Sequence, residues 1–164
     1  MEINRAMLLQ SFSEETEECL AQMEQSLLAL ETHPGDRQLV SSLFRAAHTI
    51  KGNASLLEFD ALARFLHTVE DLLDLCRTHA EVLSHEVINI LLQAVDALRL
   101  MAKRAVAGEE SALPAHEELS IRIAAISSEF TAHASSGGWQ SGLWRQGRMG
   151  SDLGSRLGES EVGG

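Results

Sequence analysis

Residues 60–78, DALARFLHTVEDLLDLCRT, carry the clearest structural pattern in the chain. Apolar side chains recur there at spacings of four, three, four and three residues, at Leu62, Leu66, Val69, Leu73 and Cys76. An α-helix turns once every 3.6 residues or so, and these spacings therefore place the five side chains on one helical face. The stretch predicts an amphipathic helix that buries this face in a core.

The same periodicity predicts four more helices, whose limits are set by capping and helix-breaking residues. No segment alternates with a period of two for long enough to predict a strand. We therefore expect an all-α fold in which five amphipathic helices pack as an antiparallel bundle. The four helices span residues 2–31, about 37–56 after an N-cap at Asp36, Ser84 to Gly108, and Pro114 through Phe130. Their expected core positions are Leu8, Phe12, Thr16, Cys19, Met23, Leu27 and Leu30; Leu39, Leu43, Ala46 and Ile50; Val87, Leu91, Ala94, Leu98 and Met101; and Leu119, Ile123, Ile126 and Phe130.

Composition limits the classes of function. The chain has 164 residues, 45% of them hydrophobic, and a formal net charge of −11. This charge argues against nucleic acid as a partner, because a nucleic-acid binder needs a basic surface. No stretch approaches the roughly 18–20 consecutive apolar residues of a membrane span, and acidic residues follow the N-terminus too soon for a secretory signal. Two cysteines, Cys19 and Cys76, are too few for a disulfide framework, and we expect a cytoplasmic protein with no membrane partner.

The composition changes near residue 135. Nine of the 12 glycines lie within residues 137–164, together with both tryptophans, and no apolar period is sustained there. Such a segment buries too little apolar surface to offset the entropy cost of ordering it. We therefore expect a helical domain at residues 1–134 and a Gly/Ser-rich disordered tail or linker at residues 135–164. The tail carries three basic and three acidic residues, and so the helical part holds the whole net charge.

One face of the second helix does not fit a purely structural role. His48 points about 160° away from the centre of the core stripe, and Lys51 lies on the neighbouring surface ridge. Phe44 lies one turn before His48 and also faces away from the core. Gly52 costs roughly 1 kcal/mol relative to alanine inside a helix but lets another molecule approach the backbone closely. Ser41, Arg45 and Ser55 complete this face. A solvated surface histidine beside an ordinary lysine is the alternative interpretation.

On the third helix, His67 and Glu70 lie three residues apart on one flank of the apolar stripe. A flank position can reach an adjacent antiparallel helix and meet His48. A carboxylate that accepts a hydrogen bond from one ring nitrogen fixes the tautomer and leaves the other nitrogen nucleophilic. Lys51 would then neutralise the charge of an incoming phosphoryl group. The alternative is that His67 and Glu70 form a common polar border of a buried helix.

Three segments together resemble the histidine phosphotransfer (HPt) family, most closely the N-terminal phosphotransfer domain of CheA-type chemotaxis kinases. They are LFRAAHTIKGNAS (residues 43–55), HTVEDLLDLCR (67–77) and SHEVINILLQAVDAL (84–98), and the likeness covers about residues 2–130. The resemblance implies five helices, of which helices two to five form an up-and-down four-helix bundle with one additional helix. The chain departs from the family at residues 53–57, where the relatives often have further glycines and a Gly-Phe turn.

The resemblance also implies roles for residues. His48 would accept a phosphoryl group on Nε2, and Glu70 would hydrogen-bond its ring. Lys51 and His67 would lie nearest the phosphoryl group. The expected docking surface consists of Phe44, Arg45, Gly52 and Ser55, with Phe44 as an apolar anchor and Gly52 as the point of close approach.

The implied partners are a histidine-kinase catalytic domain, which delivers the phosphoryl group, and a response-regulator receiver domain, which removes it. The sequence has no Gly-x-x-x-x-Gly-Lys loop, and we expect ATP and Mg²⁺ to come from those partners and no cofactor to be intrinsic. The chain would then be a phosphoryl carrier that is not catalytic alone.

Two other classes of protein compete with this interpretation. A metal-binding bundle could use some of the seven histidines, because Glu81 with His85, and Glu129 with His133, lie four residues apart. The Glu-x-x-His pairs of di-metal bundles and the usual zinc spacings are absent from the sequence, however. A non-phosphorylated helical adaptor would keep the fold and leave His48 without a chemical role. Phosphorylation of His48 separates the carrier from the adaptor.

Overall fold

The computed structural model describes residues 4–109 and 112–135. Within these residues the chain forms five α-helices and one short 3-10 helix, with no strand, and the predicted all-α fold is confirmed. The predicted tail at residues 135–164 lies outside the described residues except for Ser135. The α-helices are α1 (Arg5–Thr32), α2 (Arg37–Leu56), α3 (Asp60–Thr78), α4 (His85–Val106) and α5 (Pro114–Ser135), and the 3-10 helix Ala80–Val82 lies between α3 and α4.

The predicted N-caps fix the starts of two helices. The Asp36 carboxylate accepts hydrogen bonds from the amides of Gln38 at 2.9 Å and Leu39 at 3.3 Å. The Ser84 hydroxyl accepts one from the amide of Val87 at 3.2 Å. Each cap satisfies amides that have no partner inside the helix, and the chain therefore enters α2 and α4 at the predicted positions.

The C-terminal turns of α2 and α4 have the same backbone geometry but different residues at the critical position. After α4, Gly108 takes a φ of 82°, and after α2, Glu58 takes a φ of 61°. Paired amide-to-carbonyl bonds of the same pattern close both helices, at 2.9 and 3.1 Å after α2 and at 3.0 and 2.8 Å after α4. A non-glycine residue in this left-handed conformation costs about 1–2 kcal/mol. The departure from the family at residues 53–57 thus leads directly into a strained turn.

The first four helices form the bundle. Close backbone contacts join α1 to α2, α2 to α3, α3 to α4 and α4 back to α1, and each helix runs opposite to the next because the connections are short. α5 lies outside this ring, where the Ser120 hydroxyl reaches Thr68 of α3 at 3.4 Å and Arg122 reaches Gln93 of α4 at 3.4 Å. The four-helix core with one additional helix is confirmed.

The expectation that helices two to five form the bundle is wrong, because α1 is a full member and α5 is the additional helix. The amount of surface that each helix buries explains why α1, and not α5, belongs to the bundle. α1 is 28 residues long and buries seven of them, whereas α5 buries His116, Leu119 and Ile123. The described residues up to Thr131 form one compact unit.

Leucine is the most frequent residue in the core, and the core follows the predicted stripes with small rotations. Leu20 is fully buried although the prediction omitted it, whereas Leu8 is 42% exposed and Cys19 is only half-buried. In α2, Val40 is buried in place of the neighbouring Leu39. All five predicted core positions of α3 are buried. None of the described helices has the length and apolar character needed to cross a membrane.

Candidate functional site

His48 lies at the middle of α2 on the side that faces away from the core. Leu43, Ala47, Ile50 and Ala54 occupy the buried face of the same helix. The His48 side chain is 66% exposed, as the angular position of the residue predicted. Its ring is therefore accessible to another protein.

Glu70 of α3 contacts the His48 ring from the neighbouring helix. Its Oε1 lies 2.5 Å from His48 Nδ1, although its side chain is only 8% exposed. The two residues lie at the same level of the bundle because α2 and α3 are adjacent and antiparallel. The structure thus brings together the two side chains whose spacing along the sequence suggested a contact.

Lys51 occupies the other oxygen of the same carboxylate. Its Nζ forms an ion pair with Glu70 Oε2. We predicted an exposed lysine, and this prediction is wrong, because the Lys51 side chain is only 27% exposed. The buried carboxylate explains the difference, since an ion pair with it requires the lysine chain to lie along the groove between α2 and α3.

The protonation state of Glu70 determines the tautomer of His48. Burial by itself would raise the pKa of Glu70, but hydrogen bonds from Lys51 and His48, together with their charges, outweigh burial and lower this pKa below its ordinary value. An ionised carboxylate can only accept hydrogen bonds. His48 Nδ1 must therefore carry a proton and donate it, and in the neutral ring Nε2 carries a lone pair.

Phe44 and Arg77 extend the site toward the start of α2. The Phe44 ring lies nearly parallel to the His48 ring, at 11°, with 6.2 Å between centroids. The guanidinium carbon of Arg77 lies 4.2 Å from the centroid of Phe44. Arg77 was not predicted from the sequence. Its position seven residues after Glu70, on the same helical face, is the signal that could have found it.

The remaining predicted residues are exposed on or beside this face. The His67 side chain is 67% exposed, and its Nε2 lies 3.7 Å from the Asp71 carboxylate one turn along α3. Its position near a phosphoryl group stays a prediction. Arg45, Gly52 and Ser55 are all exposed. Apart from the adjoining residues and the backbone of the same helix, no atom of the described residues lies within 4 Å of the place a Cβ on residue 52 would take. The backbone at Gly52 is open to close approach, as predicted.

The chain is similar to one known domain family and to CheA proteins. Residues 7–101, more than half of the chain, match the family model described as the Hpt domain. CheA of Treponema pallidum is 35% identical over 136 residues, which are 83% of this chain and 16% of that protein. The chain therefore spans about a sixth of the length of that relative.

Two solved structures share the fold and part of the sequence. The phosphorylated P1 domain of CheA3 in complex with CheY6 from R. sphaeroides is 31% identical, with a TM-score of 0.69 over 76% of this chain and 98% of that one. The CheA phosphotransferase domain from Thermotoga maritima is 33% identical, with a TM-score of 0.58 over 63% and 98% of the two chains. The matched residues contain α2 and α3 with His48, Lys51 and Glu70. The chain is homologous to the phosphotransfer domains of CheA and belongs to the Hpt domain family.

Proposed function

We propose that this chain is the phosphoryl carrier of a chemotaxis-type phosphorelay and that His48 Nε2 is the acceptor atom. One observation carries the proposal: the buried carboxylate of Glu70 lies 2.5 Å from Nδ1 of an exposed histidine. Because the pKa of Glu70 is lowered by Lys51 and His48, we infer that the carboxylate is ionised and accepts the Nδ1 proton. This contact leaves Nε2 unprotonated and directed away from the carboxylate, on a ring that a partner can reach.

In the accepting step, the lone pair of Nε2 forms a bond to the γ-phosphorus of ATP bound to a kinase domain. The bond from phosphorus to the bridging oxygen breaks, and its electron pair leaves with ADP. The ring gains a positive charge while Nδ1 keeps its proton, and the Glu70 carboxylate offsets this charge. ATP and Mg²⁺ belong to the kinase partner in this proposal.

In the donating step, a carboxylate oxygen of a response-regulator aspartate attacks the same phosphorus. The P–N bond breaks and its electron pair returns to Nε2, which restores the neutral ring. The relative CheA3 P1 was solved in complex with CheY6, and this supports a receiver domain as the second partner. We place the chain, together with both partners, in the cytoplasm.

Three further residues have proposed roles in the transfer. Lys51 lies one turn after His48 and carries an ammonium group at the edge of the site, where it can approach a phosphoryl oxygen while it remains near Glu70. We assign His67 to the rim of the same site. Gly52 offers a flat stretch of helix against which a partner can dock. Arg45 and Ser55, exposed on α2, border this surface.

Incubation with ATP, Mg²⁺ and a CheA-type kinase core tests the proposal. We expect an acid-labile, alkali-stable phosphoryl group that His48→Gln abolishes and that a CheY-type receiver removes. The matched control is His85→Gln, which changes another exposed histidine and should leave labelling intact. Absence of label on the folded wild-type chain, or label on His48→Gln, would favour the helical adaptor.

A further inference from the structure

Two contacts hold the exposed ring of His48. The hydrogen bond from Nδ1 to Glu70 fixes one nitrogen, at 2.5 Å, but a single hydrogen bond permits the ring plane to turn about it. Because two-thirds of the side chain is exposed, the core does not restrict this rotation. The direction of the Nε2 lone pair therefore depends on whatever lies against the face of the ring.

The aromatic ring of Phe44 is stacked beside the His48 ring, with 6.2 Å between the two centroids. It precedes His48 by one helical turn, is half-buried, and lies within 11° of parallel to the imidazole. A parallel aromatic neighbour disfavours rotations of the imidazole that would turn its edge into the neighbouring ring. Phe44 can therefore restrict the orientation of the His48 ring only if the Phe44 ring is itself held in place.

Arg77, at the end of α3, covers Phe44. Its guanidinium carbon lies 4.2 Å from the Phe44 centroid, within the range of a cation–π contact. Asp74, one turn earlier on α3, accepts a hydrogen bond from Arg77 at 2.6 Å and orients the guanidinium. The four residues form a continuous series, Asp74, Arg77, Phe44 and His48, that leads from the rim of α3 to the reacting ring.

We infer that Arg77 is a positioning residue for His48 and acts through the ring of Phe44. The inference rests on the proposed role of His48 as acceptor. Arg77 does not touch the phosphoryl group in this scheme. It holds the Phe44 ring in one orientation, and this ring keeps Nε2 pointing outward for in-line attack.

The test compares Arg77→Met with Arg77→Lys and Phe44→Leu. Methionine keeps the length of the side chain but removes the cation, whereas lysine restores a cation over the ring. The first measurement is ¹⁵N NMR of the unphosphorylated His48 imidazole. The second is the rate of phosphorylation by phosphoramidate, a small donor that needs no protein docking. Arg64→Met, which changes another exposed arginine of α3, is the matched control.

We expect Arg77→Met to broaden or shift the His48 nitrogen signals and to slow phosphorylation by phosphoramidate about 3- to 10-fold. Arg77→Lys should recover part of the rate, and Arg64→Met should match the wild type. Phe44→Leu should reproduce the loss. The double variant of Phe44 and Arg77 should lose no more than Phe44→Leu alone, because the two residues act in series.

Additive losses in the double variant, or unchanged His48 signals in Arg77→Met, would overturn the inference. In the second case a slower kinase reaction would make Arg77 a docking contact. Failure of the proposed function is distinguishable, because a wild-type chain that no kinase labels still reports its imidazole signals. All variants are compared after thermal melts confirm that they are folded.

Discussion

Replacement of Glu70 by glutamine tests the central contact of the site with little change in shape. An amide presents one oxygen and one NH₂ group where the carboxylate presents two oxygens. If the oxygen faces His48 Nδ1, the NH₂ group faces the ammonium of Lys51, and two donors meet. Glu70→Gln therefore weakens one contact and removes the other, in a position where Glu70 is 7% exposed.

The size of the effect follows from the charge of the acceptor. A hydrogen bond to a charged group contributes about 1.5–3 kcal/mol, against about 0.5–1.5 kcal/mol for a neutral pair. The preference for the Nδ1–H tautomer should fall by the difference, about 1–2 kcal/mol or 5- to 30-fold. The variant also loses the negative charge that offsets the imidazolium formed during transfer. We expect phosphorylation of His48 to be about 10- to 100-fold slower.

The same substitution should change the pH dependence of stability. The pKa of Glu70 is lower in the folded chain than its ordinary value of 4.5, because hydrogen bonds and charges from Lys51 and His48 outweigh burial. The folded state then binds fewer protons than the unfolded state. The stability that Glu70 contributes is present above about pH 4.5 and is lost as the pH falls through the lower folded value. Wild type and Glu70→Gln should therefore converge in stability in acid.

The assay is the initial rate of labelling by a CheA-type kinase core at saturating ATP, with urea unfolding at pH 7 and pH 3. Glu18→Gln, a neutralised glutamate on the exposed surface of α1, controls for net charge. A folded Glu70→Gln variant that is labelled at the wild-type rate would refute the assignment of the tautomer to Glu70. A stability difference that persists unchanged at pH 3 would refute the electrostatic part.

Three further predictions follow from the described contacts. Lys51→Met should slow labelling, and it should lower the free energy of unfolding measured in urea titrations by about 1–3 kcal/mol, because it removes one partner of the buried Glu70. Unchanged stability would contradict the ion pair. Glu58→Gly should raise the free energy of unfolding by about 0.5–1 kcal/mol and Gly108→Ala should lower it by about 1–2 kcal/mol, because both positions have a positive φ. A steric clash would not explain the loss at residue 108, since the space around its Cβ position is open among the described residues. A change of the same sign in both variants would exclude backbone strain as the cause. Burial and a neighbouring arginine lower the pKa of His116 below its ordinary value of 6.5. The unfolded state therefore binds the proton first, and thermal stability should fall as the pH drops below about 6.5. His116→Leu should flatten this pH dependence, and an equal slope in both proteins would contradict the assignment to His116.

The sequence predicts the start of α2 and the buried face of α3 because local chemistry determines them. Asp36 caps α2, and the apolar spacing of α3 is consistent with only one face. The turn after α2 was not predictable in the same way. Its left-handed residue is Glu58, which carries no sequence signal for positive φ, whereas Gly108 gives that signal after α4.

Periodicity shows which face of a helix is buried but not which helix covers it. Periodicity could therefore not show that α1, and not α5 as the family resemblance implied, completes the bundle. The contact between His48 and Glu70 was accessible from the sequence, because both positions lie on facing sides of consecutive antiparallel helices. The sequence did not show the path of the Lys51 side chain or the contact of Arg77 with Phe44, because both depend on the level at which α2 and α3 meet.

The arrangement of charge at the site solves a problem that any phosphoryl carrier faces. Glu70 is needed to orient the His48 ring, but an unbalanced carboxylate beside the ring would repel the incoming phosphoryl group, which is itself an anion. Lys51 neutralises Glu70 through Oε2 and leaves Oε1 free to accept the Nδ1 proton. α2 itself contains Arg37, Arg45 and Lys51 and no acidic residue, in a chain with a net charge of −11. The carboxylate that orients the ring comes from the neighbouring helix, and α2 itself adds no negative charge to the surface offered to the phosphoryl group.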